Sequence, residues 1–426
     1  MPPAQREPAS PELRSTARLK GLMAAHFAGV DRAARERTAP VAWCTSVGPV
    51  ELLRALGYEV FFPENHGALL GASRAAGETM GRAHALGYSP DICSYLTSDI
   101  GAYLAKKTPL ARYGLAAPPR PDLLLFSTNQ CREVRDWFEF YGREWKVPVV
   151  GVTSFRDVGT VEDHHVDAIT RQLEGLVPAL EAVAGRRLDA RSLEEAVARS
   201  RACSDGWRDC LRTSARRPAP LTFFDATIHM GPAVVLRGTA EACDYYLALR
   251  EELEGHVREG RGTLRRERFR LYWDGMPIWG RLRDLATLFA ELETSVVAST
   301  YCNSWIFEAL DPRDPLRSMA RASLELFIAR AEEPKQRYLE RMVAEFAVDG
   351  VIFHDSRTCP NNSNARFGLP RRLRDGAGVP VLVLDGDLND LRCFSDEQAR
   401  TNIEAFVEQL EGAGPGAAGR ERARSA

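Results

Sequence analysis

From about residue 40 to 155, short apolar runs (VAWCTS, YEVFFP, DLLLFS, VPVVGVTSF) alternate with segments of helical periodicity such as VELLRALG and REVRDWFEFYGREW. Runs this short and this uniformly apolar read as strands covered on both faces, and the helical segments between them supply the crossovers that parallel strands require. The rhythm stops after about residue 160, where long helical stretches take over. It returns from about 265 with RFRLYWDG, SVVASTY, GVIFHDS and VPVLVLDGD as strands and SMARASLELFIARAEEPKQRYLERMVAEFA as helix. Such a pattern predicts an α/β protein with two parallel-sheet, Rossmann-like domains facing a central crevice and a helical insertion between them.

The expected organisation is a mobile helical amino-terminal segment (1–38), a first α/β domain (39–160), a helical insertion (161–262), a second α/β domain (263–411) and a disordered tail (412–426). The ends are assigned on composition: the first is rich in Ala, Arg and Pro, and the last, EGAGPGAAGRERARSA, is poor in bulky apolar residues. More than one core is expected, because 426 residues exceed what a single core usually covers. Within the insertion, Ser192 and Glu195 have the spacing of a capping box that opens a helix. The two sheet regions echo each other, each running strand, loop to Cys, helix, then VPVVGV or VPVLVL. Duplication and the general likeness of α/β units both account for that echo.

Cysteine placement carries the chemistry. Cys131 closes PDLLLFSTNQC and Cys359 closes DGVIFHDSRTC, so each follows an expected strand by a few residues. In open α/β sheets the loops leaving the carboxyl ends of strands line the binding crevice, which brings these two thiols together. Cys93, in SPDICSYLTSDIGAYL, stands where a helix beginning nearby is expected to lower its pKa and favour the thiolate that a metal needs. Of the remaining cysteines, Cys203, Cys210 and Cys243 fall on expected helices and read as core residues, and Cys44, Cys302 and Cys393 read as packing positions, with spare-ligand or ligand-supporting roles as the alternative. Nine cysteines at irregular spacing, with no export signal in MPPAQREPASPELRSTARL, favour reduced thiols and a cytoplasmic setting. Three thiolates without a His partner motif suit an iron–sulfur cluster better than zinc, since a cluster iron can lack a protein ligand.

Other classes are disfavoured. A net charge of −2 with dispersed basic residues does not mark a nucleic-acid binder, and no apolar stretch reaches membrane-spanning length. Neither a phosphate loop nor a GxGxxG turn is present, so ATP and NAD have no evident home. His164 and His165 read as a solvated helix start. TYCNSWIFEALDP reads as a substrate-pocket wall or as core; Trp273, Met276 and Trp279 in WDGMPIWGRL shape a flat apolar pocket or seal the domain interface.

The segments WCTSVGPVELLRALGYEV, DICSYLTSDIGAYL, the strand and loop ending at Cys131, GVIFHDSRTC, and VPVLVLDGDLNDLRCFSDEQARTNIEAFVEQL occur in one order from about Val41 to Leu410. In this order and form they resemble the two-subunit component of the 2-hydroxyacyl-CoA dehydratase and benzoyl-CoA reductase family. The resemblance implies one [4Fe-4S] cluster held by Cys93, Cys131 and Cys359, and low-potential radical chemistry on a CoA thioester. It implies a homologous sister subunit, a ferredoxin-like donor upstream, and an ATP-hydrolysing iron–sulfur activator, which accounts for the missing nucleotide loop. A cluster iron without cysteine would then act on the thioester oxygen. Ser46 and Glu64 match the polar positions beside the cluster, with Glu64 exchanging protons from a dry pocket. The alternative for Glu64 is a turn or capping carboxylate; Glu51 reads as a helix-start acid. His354 reads as a donor to a cluster sulfur, a proton source or a satisfied buried His. Within the family the tail GDLNDLRCFSDEQ and the runs RLYWDGMPIW and VVASTYCNSWIF look more like the reductase branch. The expectation is therefore a subunit for reductive dearomatisation of an aryl-CoA, with (R)-2-hydroxyacyl-CoA dehydration by a ketyl radical as the second reading and a non-catalytic electron-relay subunit as the third.

Overall fold

The computed structural model describes residues 13–363 and 368–413. Eight strands form two separate four-stranded sheets. The first contains β1 (Val41–Cys44), β2 (Glu59–Phe61), β3 (Leu123–Ser127) and β4 (Val149–Val152); the second contains β5 (Phe269–Asp274), β6 (Thr294–Ser299), β7 (Gly350–Ser356) and β8 (Val381–Gly386). Every strand pair is parallel, and the two sheets share one topology, β2-β1-β3-β4 and β6-β5-β7-β8. Each expected apolar run holds its strand. Both sheets reverse winding direction between their first and third strands, which places a switch point beside β1 and β3 in one and β5 and β7 in the other.

The burial of the strands explains their composition. β1, β3, β5 and β7 are buried at every position, as central strands covered on both faces require, whereas β4 and β8, at the edges, are partly exposed. Between β4 and β5 the chain runs through the helices Asp163–Ala184, Ala190–Arg212, Phe223–His229, Gly231–Val235 and Ala240–Arg258. Among the described residues, no helix is long and apolar enough to cross a membrane.

Three local expectations are corrected. The amino-terminal segment is not mobile over its described length: helix Arg14–Glu36 buries Leu19, Met23, Phe27, Val30 and Ala33 along one stripe, and its first N–H groups donate to Glu252 at 2.7 and 2.9 Å. Residues 1–12, and 414–426 of the expected tail, lie outside the described residues. Helix Ala190–Arg212 opens one turn before Ser192: Asp189 is its cap, accepting from the Ser192 N–H at 2.8 Å, and Glu195 pairs with Arg191 on the surface. The long helix expected over 318–347 is two, Pro315–Glu325 and Glu332–Glu345. Between them Arg330 turns away to bridge Val158 and donates to the carbonyls of Val158 and Gly159.

Candidate active site

A cavity of about 1050 Å³ lies where the carboxyl ends of both sheets face each other. Its lining draws on the loop after every switch-point strand: Ser46 after β1, Gln130 and Cys131 after β3, Met276 after β5 and Cys359 after β7. Helix Pro63–Ala72 contributes Glu64, and the start of helix Ser94–Ala105 contributes Cys93 and Tyr95. Gly275 makes the turn after β5 possible. It sits at φ +98°, and a Cβ there would stand 2.8 Å from the carbonyl oxygen of His354.

Cys93, Cys131 and Cys359 thus come from three separate elements and line one cavity. Cys93 is the residue immediately before helix Ser94–Ala105, as expected, but its thiol pKa is pushed up, not down. Burial is the first cause and the neighbouring Cys359 the next, and together they outweigh the Tyr95 and Leu96 N–H groups that favour the thiolate. Cys131 is raised by burial and then by Cys93, and Cys359 is pushed up to about 11 by burial against hydrogen bonds from Asn362. The three sulfurs therefore lie close enough to feel one another, in a setting that favours neutral thiols. This donor set fits a metal cluster. Among the described residues no three His, Cys, Asp or Glu side chains are gathered for a single metal ion.

In the same lining, Glu64 is buried. Its Oε2 accepts the Ser46 N–H at 2.5 Å, and its Oε1 accepts from the Gln130 amide. Burial raises its pKa to about 7 against hydrogen bonds from Ser46, so both charge states are accessible near neutrality. The loop that offers Ser46 is pinned by Arg237, which donates to the carbonyls of Ser46 at 3.0 Å and Gly48 at 2.6 Å and to Glu51 Oε1 at 2.9 Å. Glu51 does lie in the first turn of a helix, Val50–Ala55, yet its partners are this buried guanidinium and Ser200 rather than solvent.

His354 stands apart from the cavity. Its Nδ1–H donates to the Met276 carbonyl at 2.6 Å, burial pushes its pKa down, and it braces the turn after β5 from behind. Trp273 likewise packs inward, stacked on Phe223, while Met276 and Trp279 reach the lining. From TYCNSWIFEALDP, Tyr301, Ser304 and Trp305 form part of the wall. The pair His164 and His165 opens helix Asp163–Ala184, where the Glu162 N–H meets His165 Nδ1.

Residues 45–410 match the family profile described as 2-hydroxyglutaryl-CoA dehydratase, D-component. The chain belongs to that family. It is 29% identical over 398 residues to the (R)-2-hydroxyisocaproyl-CoA dehydratase alpha subunit of Clostridioides difficile, covering 92% of this chain and 95% of that one. It is 30% identical over 394 residues to the (R)-phenyllactyl-CoA dehydratase alpha subunit of Clostridium sporogenes, covering 88% and 91%. With a benzoyl-CoA reductase subunit of Thauera aromatica it shares 28% over 363 residues, covering 82% and 83%.

One residue of this dehydratase-family chain escaped sequence reading. Asp387, fully buried just past β8, accepts from Ser94 Oγ at 2.5 Å, from the Thr358 N–H at 2.8 Å and from Thr358 Oγ1 at 2.6 Å. Ser94 follows Cys93 and Thr358 precedes Cys359, and the Ser94 N–H itself donates to Thr358 Oγ1 at 3.0 Å. One carboxylate therefore ties two of the three cysteine segments together across the domain boundary. The available signal was its position just beyond a parallel strand, in the quoted VPVLVLDGDLND.

Proposed function

We propose that this chain is the cluster-bearing subunit of an enzyme that eliminates water from a 2-hydroxyacyl-CoA, working with a homologous sister subunit and an ATP-hydrolysing activator fed by a ferredoxin-like donor. The observation that carries the reading is the pairing, in one cavity, of three convergent thiols with a carboxyl whose pKa lies near 7. The family profile and the dehydratase relatives favour elimination over the ring reduction that sequence alone put first.

Cys93, Cys131 and Cys359 are the residues that would hold a [4Fe-4S] cluster, whose contribution would be low-potential electron transfer at the thioester. The protein's own part is proton management and shielding. Elimination removes a hydroxyl from C2 and a proton from C3, with no net oxidation, so one residue that both gives and takes a proton serves the reaction. Glu64 meets that requirement: the Ser46 N–H and the Gln130 amide fix its two oxygens, and burial keeps the neutral form available. Ser46 acts here through its backbone. The apolar wall excludes water that would quench a reactive acyl group.

A benzoyl-CoA reductase-type activity is the second reading, favoured by the aromatic wall and by the Thauera relative. The test is anaerobic reconstitution with iron and sulfide, addition of sister subunit, activator, ATP and reductant, and separate supply of 2-hydroxyacyl-CoA and benzoyl-CoA. Enoyl-CoA from the first supports elimination, a cyclic diene from the second supports reduction, and thioester binding to the sister subunit alone supports the relay role.

A further inference from the structure

We infer that the inner end of the cavity selects an uncharged, ring-bearing acyl group and rejects one that carries a second carboxylate. The inference rests on the reading that this cavity takes a CoA thioester.

Four aromatic residues of the cavity lining, Tyr95, Trp279, Tyr301 and Trp305, form one connected group. Tyr301 stands edge-on to Trp279, with centroids 5.9 Å apart at 79°, and to Trp305, at 5.2 Å and 67°. The Trp279 indole N–H donates to the Tyr95 hydroxyl, and a Cβ on Gly67 would stand 3.1 Å from Tyr95 Cβ and Cγ, so glycine there leaves room for the ring. The rings are therefore fixed in edge-to-face order before any ligand arrives. An inserted aromatic ring extends that order and gains edge-to-face contact beyond area burial.

Charge runs the other way along the same cavity. Among the described residues its lining cations are Lys20, Arg74, Arg112 and Arg283, and all four are exposed. At that rim, where Arg74 pairs with the lining Asp284 at 2.7 Å, these cations meet the anionic carrier. Inside, the acidic side chains of the lining are Glu64 and the half-buried Asp225, and among the described residues no lining Lys, Arg or His is buried. A second carboxylate brought there would be stripped of water with no cation to receive it, an uncompensated cost of burial. One unspent donor remains: the buried Trp305 Nε1–H has no acceptor among the described residues, and an acyl oxygen can supply one.

Equilibrium binding to the anaerobically purified protein tests this, with 3-phenylpropanoyl-CoA, hexanoyl-CoA, glutaryl-CoA and free CoA as probes and calorimetry as readout. The expected order is phenylpropanoyl tightest, hexanoyl next, and glutaryl no tighter than free CoA, with at least about a tenfold gap between the first and the dicarboxylate. Trp305→Leu is expected to narrow the phenylpropanoyl preference over hexanoyl and leave glutaryl-CoA unchanged. Glutaryl-CoA binding as tightly as phenylpropanoyl-CoA overturns the inference while leaving the thioester reading intact. Equal affinity for hexanoyl and phenylpropanoyl overturns its ring selectivity. If no thioester gains over free CoA, both the inference and the thioester reading fall.

Discussion

Replacing Asp387 by Asn removes the charge of the clasp with little change of shape, and the size of the effect follows from its contacts. One carboxylate oxygen accepts from Ser94 Oγ at 2.5 Å and from the N–H groups of Asn389 and Asp390 at 3.0 and 2.9 Å. The other accepts from the Thr358 N–H at 2.8 Å, Thr358 Oγ1 at 2.6 Å and Ser356 Oγ at 3.4 Å. An amide nitrogen in the first place would oppose two backbone donors, and in the second only one. Asparagine therefore settles with its nitrogen toward Thr358, whose hydroxyl and that of Ser356 can turn to accept. The Thr358 N–H cannot. A buried donor left unmet costs about 1–3 kcal/mol, and the remaining bonds lose their charge assistance, so Asp387→Asn is expected to lower unfolding free energy by about 2–4 kcal/mol. Asp387→Ala, which leaves all these donors unmet, is expected to cost more. Urea midpoints at constant m measure the loss, and iron bound after reconstitution reports whether Cys93 and Cys359 remain aligned. An Asp387→Asn protein within about 0.5 kcal/mol of the parent and with full iron uptake would refute the clasp.

Glu64→Gln tests the raised carboxyl. A carboxylic acid bound more tightly in the folded state makes stability fall as pH rises from about 4.5 to about 7, so the variant should gain on the parent across that window, by roughly 1.4 kcal/mol per unit, while losing turnover. Equal pH dependence for both proteins in denaturant titrations would contradict it. Gly71→Ala would drive a Cβ into Asn389 Oδ1 and to 2.8 Å from Trp279 Cβ, so helix Pro63–Ala72 must move off the second domain. A loss of about 1–3 kcal/mol is expected, seen as a lowered melting temperature. Arg237→Leu strands Glu51 in the core and releases the loop carrying Ser46, with an expected cost of about 3–5 kcal/mol by urea denaturation.

What the sequence disclosed depended on how local the physics was. DLLLFS and GVIFHDS read as strands because a central parallel strand must be apolar on both faces, and both proved fully buried. Cys131 and Cys359 were readable for the same reason, since a residue just past such a strand faces the crevice. The break at Leu326–Ala331 was not read, although Pro334 falls in the first turn of the following helix, where proline is tolerated. Cys93 shows a competition that position alone cannot rank: the helix start favours the thiolate, and burial outweighs it. His354 looked like a site residue from its place before the cysteine loop, yet strand alternation turns it toward the Met276 carbonyl. Asp387 was silent because its partners lie 29 and 293 residues away, and only the facing of two sheets brings them together.

The most direct test of the account is iron and acid-labile sulfide per chain after anaerobic reconstitution, measured for the parent and for Cys93→Ser, Cys131→Ser and Cys359→Ser. The account predicts about four irons per chain in the parent and loss of the intact cluster in each variant, with Cys203→Ser unaffected. A full cluster retained in all three variants, or no iron taken up by a folded parent, would contradict it.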